Sequence, residues 1–191
     1  MPTNGKDASV RTPTSTRYRI SLATIVALIA LATLLAVWPA PADAHTSWCP
    51  TIRPPVTVKH VAANLHQRRM TTRVLNVGRR HRANGKVLRS AIMAINQESS
   101  ATNLAGGHGS SVGLFQIIDI HGSWAQRHNP EWASHWYFSR AINVNHWRPY
   151  LTAGQLAQAV QRSAYPDAYA RWWDEAYRTL ARYRYTCQLP R

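Results

Sequence analysis

A mainly α-helical domain is the fold the sequence predicts, and three observations predict it. Apolar residues recur at three- and four-residue spacings over several stretches between residue 60 and the C-terminus. Helix-start signatures stand at two of the breaks, Asn129-Pro130-Glu131 and Thr152 with Gln155 three residues later. Strand character is confined to one short irregular or β segment over 112–118, where a helix start fits equally well.

Residues 1–19 are polar and basic and read as an N-terminal region without packed structure. An unbroken apolar run over 20–38 follows Arg11, Arg17 and Arg19, and small residues stand at Ala42 and Ala44. That pattern over 20–44 predicts a secretory signal cleaved before His45. The run is also nearly long enough to span a bilayer, so an uncleaved anchor with its basic end in the cytoplasm is the other reading. Either way the chain from residue 45 is expected outside the cytoplasm, secreted or anchored to the membrane only through 20–38.

Residues 45–59, with Pro50, Pro54 and Pro55, read as an extended lead-in to a domain over 60–191. From His60 to His81 the spacing of Val61, Leu65, Val74 and Val77 predicts a first helix. Its arginines, Arg68 to Arg82, would form a solvated face. Asn84-Gly85 marks a turn, and Val87/Leu88, Ala91/Ile92 and Ile95 predict a second helix. Gly106, Gly107, Gly109 and Gly113 then impose irregular backbone. A helix opening at Pro130 carries Trp132, Trp136 and Phe138, and one opening at Thr152 packs through Leu156 and Val160. Pro166 suits the first position of a long amphipathic terminal helix through Tyr169, Trp172, Trp173, Ala176 and Leu180.

Residues 45–191 carry 19 Lys/Arg and 6 Asp/Glu, a net charge of +13. Such a chain is attracted to polyanions. Export points to the anionic polymers of a cell wall rather than to nucleic acid, and no recognition-helix motif is present. Cys49 and Cys187 stand near the two ends of the exported part. In an oxidising compartment an even pair reads as a disulfide, two unpaired thiols being the alternative.

Glu98 falls three residues after Ile95 and seven after Ala91, on the buried edge of the second helix near its C-terminal end. Apolar neighbours and the helix dipole both disfavour its ionised form, which suits a proton donor for glycosidic cleavage. A surface glutamate making a salt bridge is the competing reading. Gln97-Glu98-Ser99, Asn103-Leu104, Ser111-Val112-Gly113-Leu114-Phe115-Gln116 and the stretch from Ala157 to Pro166 occur in one order. That order resembles actinobacterial cell-wall proteins of the lysozyme-like superfamily, soluble lytic transglycosylase type, over roughly residues 70–185. The resemblance implies a lysozyme-like fold, peptidoglycan as substrate, no cofactor and Glu98 as the catalytic acid. It also implies a cleft that includes Ser99, Ser111, Gly113, Leu114, Phe115 and Gln116, with Gln116 meeting sugar. The Ala-Tyr-Asn-Ala-Gly motif of many such enzymes is absent. The segment Val160 to Tyr165 stands in its region, which makes Gln161, Ser163 and Tyr165 weaker binding candidates; for Tyr165, packing beside Pro166 competes.

A hydrolase generally needs a second carboxylate. Asp119, three residues after Gln116, is the one candidate helper. Glu131 reads as a helix-start residue, and Asp167, Asp174 and Glu175 as solvent partners of nearby arginines. Scarcity of acids favours the single-glutamate lytic transglycosylase over a muramidase; a wall-binding module without turnover is the non-enzymatic alternative. Trp124, among Gly122, Ser123 and Gln126, is the expected exposed ring for stacking on sugar, with Trp147 and Tyr150 also in loop-like contexts. His121, His128 and His135 recur every seven residues, but Gly122 and Pro130 keep one helix from aligning them, so no metal is expected.

Overall fold

The computed structural model describes residues 49–189. The basic region, apolar run and Ala-x-Ala site read over 1–44 lie outside the described residues. Among the described residues the chain is mainly helical, with one two-stranded antiparallel sheet. The hairpin β1 (Thr57–Val58) and β2 (Val61–Ala62) comes first, followed by α1 (Leu65–Arg80) and α2 (Gly85–Ser99). A 3₁₀ turn (Asp119–His121) leads to α3 (Trp124–His128), α4 (Pro130–Trp147) and α5 (Ala153–Gln161). A second 3₁₀ turn (Ala170–Trp172) runs into α6 (Trp173–Thr186). No described helix is long and apolar enough to cross a membrane.

The centre of the core is α2. Val87, Leu88, Ala91, Ile92, Met93, Ala94 and Ile95 are all buried, so the helix is apolar on every side along its middle. A helix of that kind must be surrounded, and α1, α4, α5 and α6 pack around it. Asn84 caps its start by accepting the Val87 amide hydrogen at 3.0 Å. The caps read at Asn129-Pro130 and Thr152–Gln155 are present and open α4 and α5. A further capping box, Asn64 with Gln67, opens α1. Gly78 lies where a side chain would run into Leu88 and Phe138, which lets α1 close on α2 and α4.

Three expectations are corrected by the packing. The lead-in over 45–59 is no appendage: Ile52, Val56 and Val58 are buried in the core, and a boundary at residue 60 cuts through the turn of the hairpin. The terminal helix begins at Trp173 rather than at Pro166. A turn over 166–169 and the 3₁₀ turn precede it, with Tyr169 and Trp172 buried and hydrogen-bonded to α2. Glu175 is not a solvent partner of arginines. It is 1 % exposed, and its carboxylate accepts the backbone N–H groups of Lys59 (3.1 Å) and His60 (2.5 Å) and the amide of Asn96 (3.2 Å).

Cys49 and Cys187 form a disulfide with Cα atoms 5.2 Å apart, joining the segment before the hairpin to the end of α6. Closing a loop of this length contributes about 4–5 kcal/mol by the chain-entropy argument.

Candidate functional site

Glu98 occupies the last turn of α2, where the free carbonyls oppose a negative charge. Ser100 and Ala101 then both adopt left-handed backbone (φ 53° each) and turn the chain into the glycine-rich loop. The Glu98 side chain is largely buried, and Tyr169 donates its hydroxyl to Oε1 at 2.5 Å. Burial dominates and raises the carboxyl's pKa; the Tyr169 hydrogen bond and, beyond it, the positive charge of Lys59 pull the other way. The net result is an acid held above the usual carboxylate range. Because Oε1 accepts from Tyr169, the acidic proton belongs on Oε2. Tyr169 is fully buried, and its own pKa is pushed upward by burial and by the carboxylate it faces, so it stays a donor.

The turn over 113–116 is fixed from three sides. An isolated antiparallel bridge joins Val112 and Ile117 across its base. Ser99, the residue after Glu98, donates its hydroxyl to the Leu114 carbonyl at 2.7 Å, and Gln161 at the end of α5 donates its amide to the Phe115 carbonyl at 3.1 Å. Gly113 has φ +80°, and a Cβ there would overlap the Arg127 carbonyl, so both conformation and space demand glycine. Gln116 takes a left-handed conformation (φ 47°), unusual outside glycine and a local strain of the kind found at binding sites. Its amide donates to the Gly113 carbonyl at 3.0 Å, and its Oε1 lies against the bare Cα of Gly107.

The sequence-derived candidates therefore divide. Ser99, Gln161 and the turn from Gly113 to Gln116 are joined by hydrogen bonds to one another and, through Ser99, to the helix end that carries Glu98. Leu114 and Phe115 turn their side chains into the core at 0 % and 1 % exposure, Phe115 stacking on Tyr137 at 4.7 Å. Ser99 is likewise buried. These three can hold the site's shape or offer backbone atoms, but their side chains are not open to a ligand. Ser111 is half-buried, its N–H donating to the His108 carbonyl. Ser163 is half-buried, its hydroxyl accepting the Tyr165 N–H at 3.2 Å.

Tyr165 is 74 % exposed, which sets aside the packing role beside Pro166. Trp124 is 52 % exposed as expected, stacked on His128 at 4.5 Å with its indole N–H on the Ala105 carbonyl. Asp119 is exposed on its 3₁₀ turn, with its backbone N–H on the Ser110 hydroxyl. The three histidines spaced by seven meet different rings: His121 lies against Trp136, His128 against Trp124 and His135 against His81. No group of three metal-donor side chains occurs among the described residues.

Several neighbours of Glu98 escaped the sequence reading. On spacing alone Tyr169 reads as a packing residue of the terminal helix. Lys59 and His60 form the two-residue hairpin turn, the His60 ring lying 5.4 Å from that of Trp172 and the Lys59 ammonium 6.0 Å from it. Trp172 donates its indole N–H to Gln97 at 2.9 Å, one residue before Glu98. One signal could have found Glu175: it precedes Thr179 and Tyr183, both buried, at four-residue steps, which places it on the inner face of α6.

No protein-family model matches the chain, and no curated protein matches it.

Proposed function

We propose that the domain cleaves the β-1,4 bond between MurNAc and GlcNAc in peptidoglycan as a lytic transglycosylase, on a lysozyme-like arrangement of helices with Glu98 as the catalytic residue. The observation that carries the reading is the Glu98 carboxyl itself, largely buried at a helix C-terminus, raised in pKa and oriented by Tyr169. An acid so placed remains protonated closer to neutral pH and can donate its proton to the glycosidic oxygen as that bond breaks. The bond electrons leave with that oxygen, and the substrate's N-acetyl group stabilises the cationic sugar carbon. Glu98, now a carboxylate held by the Tyr169 hydroxyl, takes the proton of the muramic acid 6-hydroxyl, whose oxygen closes the 1,6-anhydro ring. The acid is thereby regenerated without water or a second carboxylate.

The disposition of the other described acids supports this over a muramidase. Glu131 pairs with Arg80, and both oxygens of Glu175 are committed to the hairpin N–H groups. Asp119, Asp167 and Asp174 are exposed. None of them hydrogen-bonds into the Glu98–Tyr169 group. Gln116, Trp124 and Tyr165 supply polar and aromatic surface for the glycan, and the net charge suits a wall rich in anionic polymers. The place of action follows from the exported reading of residues 20–44.

Mass spectrometry of a peptidoglycan digest tests the reaction type. Anhydromuramic ends are the expected product. Reducing ends would assign the same acid to a hydrolase, and intact glycan under broad conditions would leave a binding module.

A further inference from the structure

At the opposite end of α2 from Glu98, a cavity of about 650 Å³ lies between the first turns of that helix, α6 and the segment after it. Arg89, Arg184, Tyr177, Tyr185, Leu180 and Leu189 line it. Arg89 is nine residues before Glu98, about 13 Å along the helix axis at 1.5 Å per residue. The cavity is thus separate from the Glu98 group, and nothing in the proposed reaction uses it.

Two guanidinium groups from different helices converge here. Arg89 Nη1 and Arg184 Nη2 lie 3.6 Å and 3.1 Å from the point where a side chain on Gly85 would begin, so glycine there lets the two groups approach each other. Neither arginine is in an ion pair among the described residues, and no acid lines the cavity. Arg89 is held over the Trp173 ring at 5.0 Å, and its buried Nε has no hydrogen-bond partner. Burial and then the repulsion of Arg184 both disfavour its charge. Two like charges kept together without a counter-ion are stabilised by an anion between them, and paired guanidinium groups match phosphate oxygens. The remaining walls are apolar or aromatic, with Leu180 as a buried floor and the Tyr177 and Tyr185 rings largely exposed.

We propose that this cavity binds a small amphipathic anion, a phosphate group carried on an apolar body. The phosphate lies against Arg89 and Arg184 on the cavity side, and the apolar part rests on Leu180, Leu189 and the tyrosine rings. Free inorganic phosphate uses only the first half of the site, and a neutral alcohol only the second.

Calorimetric titration of the full chain with hexyl phosphate, inorganic phosphate and hexanol tests this. One hexyl phosphate is expected to bind, about tenfold or more tighter than either of the others. The double variant R89Q/R184Q is expected to lose that binding by a similar factor. R69Q/R73Q, which removes the same charge from the exposed face of α1, is expected to retain it. Hexyl phosphate binding no tighter than inorganic phosphate, or an equal loss in both double variants, overturns the proposal in favour of general attraction to a basic surface. Should R89Q/R184Q fail to fold, amide NMR of the wild-type chain decides. Shifts at Gly85, Arg89 and Arg184 on adding hexyl phosphate are required, and shifts confined elsewhere refute the site.

Discussion

Replacing Glu98 by glutamine should abolish cleavage and yet stabilise the fold, and the gain should depend on pH. Among the described residues the Glu98 carboxylate receives one hydrogen bond, from a neutral hydroxyl, Lys59 is the cation that acts on it, and no ion pair within 4.0 Å includes it. A hydrogen bond to a charged acceptor contributes about 1.5–3 kcal/mol, while taking a carboxylate out of water costs several kcal/mol. For a side chain that keeps some exposure, the ionised state is left uphill by on the order of 1 kcal/mol. Glutamine keeps an oxygen for Tyr169 and carries no charge. The folded-state pKa of Glu98 is raised, so its contribution to stability is fully present below the unfolded-state pKa and is lost as pH rises through the folded one. Glu98→Gln should therefore unfold at nearly the wild-type temperature at pH 4. At pH 8 it should gain about 0.5–2 kcal/mol, the range common for single stabilising substitutions. For a domain of this size that is a rise of a few degrees, at about 2–4 °C per kcal/mol. Thermal unfolding across pH 4 to 8 measures it directly. A gain equal at both ends, or a loss at pH 8, would refute the view that burial of an uncompensated charge sets the properties of Glu98.

Tyr169→Phe should slow turnover and move the alkaline limb of the pH–rate profile upward, because the lost hydrogen bond is one of the influences that lower the Glu98 pKa; a downward shift in the profile contradicts this. Replacing Cys49 and Cys187 by serine should cost about 2–5 kcal/mol in urea unfolding, and reductant should have the same effect on the wild type; unchanged stability would remove the disulfide as a structural element. Glu175→Ala strips the hairpin N–H groups of their acceptor and should cost about 3 kcal/mol or more. Hydrogen exchange should show Lys59 and His60 losing protection first, and retained protection there would sink the assignment.

The parts of the fold legible in the sequence are those fixed by local chemistry. The caps at Asn129-Pro130 and Thr152–Gln155 act over three residues, and the apolar pairs of α2 report a helix buried on all sides. The helix end at Glu98 was legible for the same reason, whereas 112–118, which reads as a strand or a helix start, forms a turn closed by the Val112–Ile117 bridge. The hairpin was not legible. Its turn consists of Lys59 and His60, both left-handed (φ 49° and 66°) where two-residue loops favour Asn-Gly. What holds them there is the Glu175 carboxylate, 115 and 116 residues away in the chain. Tyr169 was hidden similarly: its spacing to Trp172, Trp173 and Ala176 reads as helix packing, and the partner that gives it a role, Glu98, is 71 residues away in the chain. Among the candidate cleft residues, Leu114 and Phe115 share a motif with Gln116, but alternation across the turn sends their side chains into the core.

The initial rate of glycan release from purified peptidoglycan, compared between the wild-type chain and Glu98→Gln at matched concentrations, tests Glu98 as the acid most directly. The wild type is expected to release anhydromuramic fragments, and Glu98→Gln, still folded, to release none above background. Equal release by the two proteins would contradict the assignment of Glu98 as the acid.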